Sequence, residues 1–212
     1  VKTWFVLKDK LKPIPIAGSQ VRYSEELVKK FILQFTRKGD KILDPFAGFG
    51  TTLIVAEKLG RIGYGIEYEQ ERVDYIKKNI KLPTRIIHGN ALKIGEYKLP
   101  KFDFSMASPP YMRSSDKENP FSNYSKKGNY KQYLRDISTI YKQIKKLMKP
   151  NAVIIVEVSN TYGNEHQMTP LAWDVGYELA KIFFLERELI HCSNNEPAEG
   201  SNHSYILVFR NK

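Results

Sequence analysis

The stretch KILDPFAGFGTT, residues 41–52, constrains this chain more than any other. Its opening reads as a short buried strand, its glycines Gly48 and Gly50 as a tight turn, and Thr51 and Thr52 as a helix start. Glycine there permits φ values that a Cβ forbids, and it lets a ligand come against the main chain. The following helix would offer free N–H groups and the positive end of its dipole, which suit a carboxylate or a phosphate. No Lys completes a G-x-x-x-x-G-K-[ST] pattern, so this is not a P-loop. A bare G-x-G is equally at home in a purely structural strand–helix turn. The rest of the chain has to decide.

Strand and helix patterns alternate along it. YSEELVKKFILQF sets Leu27, Val28, Phe31, Ile32 and Phe35 at helical spacing, with Ser24 placed to cap. TTLIVAEKLG reads as a helix stopped by Gly60, RIGYGIE as a strand and EQERVDYIKKNI as a helix. RIIHG and FDFSMA follow as strands, and YKQYLRDISTIYKQIKKLM as an amphipathic helix ended by Pro150. AVIIVEVS is a further strand, and TPLAWDVGYELAKIFF a helix with Pro170 in its first turn. LERELIHC and SYILVFR close the chain as strands with no helix between them. Such alternation predicts an α/β fold, a mainly parallel sheet covered on both faces, with the last two strands an antiparallel pair at the edge. We expect one domain over residues 1–212, with an extended Lys- and Pro-rich arm at 1–23. Residues 112–129 form the longest aperiodic stretch, and a loop that long in a compact domain is usually functional or disordered.

Composition bears on partners. The 212 residues carry a net charge of +11, which suits a polyanionic partner and equally suits the bland alternative of a solvated Lys-rich surface. The single cysteine, Cys192, cannot form an internal disulfide and reads as a buried thiol in an apolar strand, which fits a cytoplasmic protein. No apolar run reaches the ~18 residues of a membrane span. The first residues lack the apolar core of a signal peptide. No Cys/His cluster has zinc spacing, so no structural metal is expected. His88, His191 and His203 lack a paired acid at catalytic spacing and read as strand-end or core residues.

Other residues gather around the glycine turn. Glu67 ends the second strand, 17 residues after Gly50, where an acid can accept from ribose hydroxyls. Asn90, after the third strand, could pair with the edge of an adenine. Turn, acid and amide would line one ligand along the carboxyl ends of neighbouring strands. A nicotinamide cofactor and S-adenosylmethionine fit equally at this point.

The fourth strand runs into Ser108-Pro109-Pro110-Tyr111. Neither proline has an N–H to donate, and each pushes its predecessor out of the α region. The result is a rigid extended corner that presents a hydroxyl, carbonyl oxygens and a flat ring.

DPFAGFGTT followed by SPPY resembles the amino-methyltransferases of nucleic acids. RYSEELVKKFILQF resembles their segment beside the cofactor's methionine part, and HSYILVFRNK is similar to their last strand. The resemblance implies a Rossmann-like class I fold: a seven-stranded, mainly parallel sheet of order 3-2-1-4-5-7-6 with an antiparallel last strand. It implies S-adenosylmethionine as cofactor and S-adenosylhomocysteine as product. By position, Asp44 would organise the turn near the methionine amino group, and Phe46, Ala47, Gly48, Gly50, Thr51 and Thr52 would border the cofactor. Glu67 beside Tyr68 would hold the ribose, and Asn90 beside Ala91 the adenine.

SPPY suits amine chemistry. An exocyclic base amine is a poor nucleophile because its lone pair is delocalised into the ring. Acceptors at Ser108 and at the Pro109 carbonyl, fixed by Pro110, would favour an sp3-like nitrogen. Tyr111 would stack on an extruded base, and the proton would leave to water. In related enzymes Ser at this position is linked with cytosine N4. Arg113, Lys126 and Lys127 lie among Phe121, Tyr124 and Tyr130, a mix that suits single-stranded nucleic acid. With no evident element for reading base pairs, RNA is expected before DNA, with cytosine N4 of a structured ribosomal or transfer RNA as target. The alternatives are DNA N4-cytosine or N6-adenine methylation, methylation of a protein glutamine amide, and a non-catalytic nucleic-acid-binding protein.

Overall fold

The helix expected near Ser24 runs Glu25–Phe35 (α1), and the Leu27 N–H donates to Ser24 Oγ at 3.1 Å. The computed structural model describes residues 2–7, 11, 13–16, 21–122, 127–163, 167–193 and 202–212. Strand Trp4–Leu7 (β1) precedes α1, and β2 (Lys41–Asp44), α2 (Thr51–Lys58), β3 (Ile62–Glu67), α3 (Gln70–Asn79) and β4 (Ile86–His88) follow it. The chain continues through β5 (Phe102–Ala107), α4 (Tyr130–Leu147) and β6 (Met148–Val158). A two-stranded hairpin, β7 (Thr161–Tyr162) and β8 (Met168–Thr169), leads to α5 (Leu171–Ala180), β9 (Phe184–Ser193) and β10 (His203–Arg210).

The large sheet has the order β1-β9-β10-β6-β5-β2-β3-β4. β2, β3, β4, β5 and β6 run parallel to one another, while β10 is antiparallel to both β6 and β9. Numbered from β2, this is the expected order 3-2-1-4-5-7-6 with one strand added. That extra strand is β1, which runs parallel to β9 and pairs Trp4 with Ile190 through Leu7 with Ser193. Part of the N-terminal arm is therefore a sheet strand. It is held there by Phe5, which stacks on His191 at 5.2 Å and meets Phe31 edge-on.

Two further expectations are corrected. The final strands are not an edge pair, because β1 covers β9 and β10 lies inside the sheet with Ile206, Leu207, Val208 and Phe209 buried. Cys192 is half-buried rather than buried, since its strand lies one place from the sheet edge.

Period-two alternation divides the core between the two faces. Ile154, Val156 and Val158 of β6 pack with Tyr133, Ile137 and Tyr141 of α4 and with Leu171 and Val175 of α5. Val153 and Ile155 pack on the other face with Leu27, Phe31 and Ile32 of α1. Between these layers, the carboxyl ends of β2 to β6 form one rim. Among the described residues no helix is long and apolar enough to cross a membrane, and no group of three His, Cys, Asp or Glu could hold a metal ion.

Candidate active site

The turn after β2 depends on its glycines for different reasons. Gly48 and Gly50 adopt φ values of 54° and 75°, both left-handed. A Cβ on Gly50 would lie 2.7 Å from Ile76 Cγ1, so α3 packs directly against the turn. A Cβ on Gly48 would meet nothing nearer than Phe46 O at 3.9 Å, which leaves room for a ligand over that amide. The Gly50 N–H donates to Ala47 O at 2.7 Å, and the Ile54 N–H to Gly50 O at 2.9 Å, which carries the turn into α2.

Asp44, at the end of β2, is fully buried. One carboxyl oxygen accepts from the Phe46 N–H at 3.1 Å and the other from the Tyr23 hydroxyl at 2.8 Å, while Tyr23 also bonds Thr52 Oγ1. Burial pushes the carboxyl up to about 6, against the opposing effect of its hydrogen bonds. The Tyr23 hydroxyl is pushed up too, by burial and by Asp44 itself. Tyr23 was not singled out in the sequence, although it stands in RYSEELVKKFILQF, the segment that resembles the one beside the cofactor's methionine part.

Glu67 faces the same turn from β3. Its carboxyl accepts from the Gly48 N–H at 2.7 Å and from the Glu69 N–H at 2.8 Å, and burial raises its pKa. Tyr68 next to it stands exposed. Asn90, after β4, is committed to structure: Oδ1 accepts from the Leu92 N–H, capping the 3-10 helix Ala91–Glu96, and Nδ2 donates to Phe121 O at 2.9 Å. Ala91 is buried beside it.

The SPPY corner leaves β5 next to these elements. The Pro110 carbonyl accepts from the Tyr133 hydroxyl at 2.9 Å. Tyr111 is held by its hydroxyl, which accepts from the Ser159 N–H at 2.9 Å and is hydrogen-bonded to Ser108. Ser108 also meets Glu157 of β6, an acid that the sequence reading passed over inside AVIIVEVS.

Asp44, the glycine turn, Glu67, Asn90 and Ser108 to Tyr111 thus stand together on the rim of neighbouring strands β4, β3, β2 and β5. The loop residues are less uniform. Arg113 is half-buried, with its N–H donating to Asp116 at 2.7 Å. Lys127 is exposed, and its backbone pairs with that of Glu118 in an isolated antiparallel β-bridge. Tyr130 stacks on Tyr133 at 6.0 Å and donates to Asp174 at 2.8 Å. Tyr124 and Lys126 lie outside the described residues. Phe121 is no exposed ring: it is buried against Tyr133 and Phe46.

The DNA methylase family of N6/N4 methyltransferases matches residues 9–78 and 102–212, which include both the glycine turn and SPPY. The chain belongs to the N6/N4 DNA methylase family. The family match leaves out the segment that carries Asn90 and Ala91. Among curated proteins, the type II methyltransferase M.BglII of Bacillus subtilis is 45% identical over 53 residues, covering 25% of this chain and 15% of its own length. M2.DpnII of Streptococcus pneumoniae is 46% identical over 57 residues, 27% of this chain and 21% of that protein. The similarity to these type II methyltransferases thus spans about a fifth of their length or less. Among solved structures, TrmN from Thermus thermophilus superposes with a TM-score of 0.62 at 15% identity, over 88% of this chain and 48% of that one. SMU.1697c from Streptococcus mutans, solved with SAH, gives 0.55 at 12% identity over 90% and 99%. These superpositions show the class I methyltransferase fold.

Proposed function

We propose that this member of the DNA methylase family transfers a methyl group from S-adenosylmethionine to an exocyclic amine of a DNA base. One observation carries the reading: the glycine turn and the SPPY corner leave adjacent strands, β2 and β5, at the same rim. The residues at the turn suit the cofactor. Open space over Gly48 admits it, Glu67 presents acceptors to ribose hydroxyls, and Asp44 holds the turn from beneath. The cofactor supplies a sulfonium methyl, and the chain's part is to place the amine in line with it.

Two acceptors are available for that. The Pro110 carbonyl is already engaged by Tyr133, which leaves Ser108 Oγ and the Pro109 carbonyl for the amine hydrogens. With its hydroxyl pinned, the Tyr111 ring is a fixed face for the base. An extruded base stacked there gains ~1–3 kcal/mol.

The expectation of an RNA substrate gives way to DNA, because the family that matches over both motifs is one of DNA methylases and the curated relatives are type II methyltransferases. Ser at the first SPPY position favours cytosine N4 over adenine N6. The test is incubation with labelled S-adenosylmethionine and separate DNA, RNA and protein pools, followed by mass spectrometry of the nucleosides. N4-methylcytosine in DNA is the expected product. Label in RNA or protein alone, or in no pool, would refute the reading.

A further inference from the structure

Strand β6 holds one acid among apolar residues. Val153 and Ile155 face α1, and the two-residue period puts Glu157 next on that face. It pairs with Ile206 of β10, and the β5 register, Ala107 opposite Val156, brings Ser108 alongside it. Its partners are hydroxyls: Ser108 and Ser204 both hydrogen-bond its carboxyl. Glu157 is half-buried, and desolvation raises its pKa. Among the described residues no ion pair to it is recorded. Another Ile or Val would have completed the apolar face, so stability does not account for this acid.

The hydroxyls form a directed chain. The Ser159 N–H donates to the Tyr111 hydroxyl at 2.9 Å, Tyr111 bonds Ser108, and Ser108 bonds Glu157. A serine hydroxyl has one proton and two lone pairs. A carboxylate behind Ser108 takes that proton in a hydrogen bond, Tyr111 donates to one lone pair of Oγ, and the other lone pair is left for the amine. We propose that Glu157 is the positioning residue of the SPPY corner, fixing Ser108 Oγ as an acceptor and receiving the proton released by methylation. The inference rests on the methyl-transfer reading. In that reaction the new N–C bond forms as the S–C bond breaks, and the nitrogen becomes cationic. Its proton passes to Ser108 Oγ as the Ser108 proton passes to Glu157, which ends neutral and reprotonates solvent. This replaces direct loss to water as the first step.

The other titratable groups around Glu157 are Tyr23 ahead of α1, with Asp44 beyond it, Tyr111 after β5, and His191 of β9 opposite Ser204.

The experiment is the pH profile of single-turnover methylation, first with the wild type and then with Glu157→Gln and Ser204→Ala. A wild type that transfers no methyl would sink the parent reading instead of this one. With an active wild type, the rate should fall on the acid side with a midpoint above that of an ordinary glutamate. Glu157→Gln keeps shape and volume but cannot take a proton. It should lower the rate about 10- to 100-fold, abolish the acid limb, and leave the DNA KM and the cofactor Kd within about twofold. Ser204→Ala removes a bond to the charged form and should move the acid limb to higher pH. An unchanged rate and limb in Glu157→Gln would overturn the proposal, as would an unmoved limb in Ser204→Ala.

Discussion

Replacing Asp44 by Asn should make the protein more stable near neutral pH and worse at holding its cofactor. The carboxyl is fully buried, and its pKa is raised from 3.8 to about 6 by loss of solvation. A rise of about two units corresponds to ~3 kcal/mol, at 1.36 kcal/mol per unit. The sign follows from the direction. A folded-state pKa above the unfolded one contributes stability that is complete below the unfolded value. That contribution is lost as pH rises through the folded value. Between about pH 4 and pH 7 the wild type should therefore lose up to ~3 kcal/mol through this group. Asn does not titrate and escapes the loss. It keeps an acceptor for the Phe46 N–H, while Tyr23 can turn its proton to Thr52. In a chain this size ~3 kcal/mol moves Tm by about 6–12 °C. Thermal melts from about pH 4 to pH 8, paired with calorimetry of S-adenosylmethionine binding, would measure both halves. The difference in Tm should grow with pH, and the variant should bind the cofactor more weakly. Equal pH dependence in the two proteins would refute the argument about burial.

Gly50→Ala forces an L side chain into a left-handed φ and drives its Cβ to 2.7 Å from Ile76, which should cost ~2–5 kcal/mol in a urea melt. Tyr111→Ala removes the stacking face and should weaken DNA capture about 5- to 150-fold, while calorimetry shows cofactor affinity retained. Glu67→Ala should do the reverse, because it strips the acceptor from the Gly48 N–H; the cofactor Kd should rise about 10- to 100-fold with the DNA KM little changed. Should both variants lose cofactor affinity alone, Tyr111 has been misplaced.

The cofactor half of the rim was legible because its chemistry is local. Strand, glycine turn and helix lie within a dozen consecutive residues, and an acid at a strand end can be read from periodicity alone. What escaped were pairings between distant segments. β1 has four residues, and its partner β9 lies at the other end of the chain, so nothing near Trp4 announces a strand. Asn90 was read as an adenine contact, and its second role, capping the 3-10 helix through the Leu92 N–H, was not foreseen. In the loop at 112–129, alternating cations and aromatics suggested an exposed stacking surface. Composition does not distinguish a ring that faces solvent from one that Asn90 and Tyr133 draw into the core, as happens to Phe121.

Tyr23 then explains how the two halves of the rim can share one electrostatic environment. Its hydroxyl donates to Asp44 beneath the cofactor turn, and it also lies within the field of Glu157 behind SPPY. Both acids are desolvated, and their recorded partners are hydroxyls and backbone N–H groups rather than cations. Charge on Glu67 raises the cost of charge on Asp44, while charge on Asp44 or Glu157 raises the cost of ionising Tyr23. A core chosen for stability alone would hold neither acid. Their place at the junction of β2, β5 and β6 is accounted for by the methyl transfer proposed above, in which folding free energy is given up for chemistry.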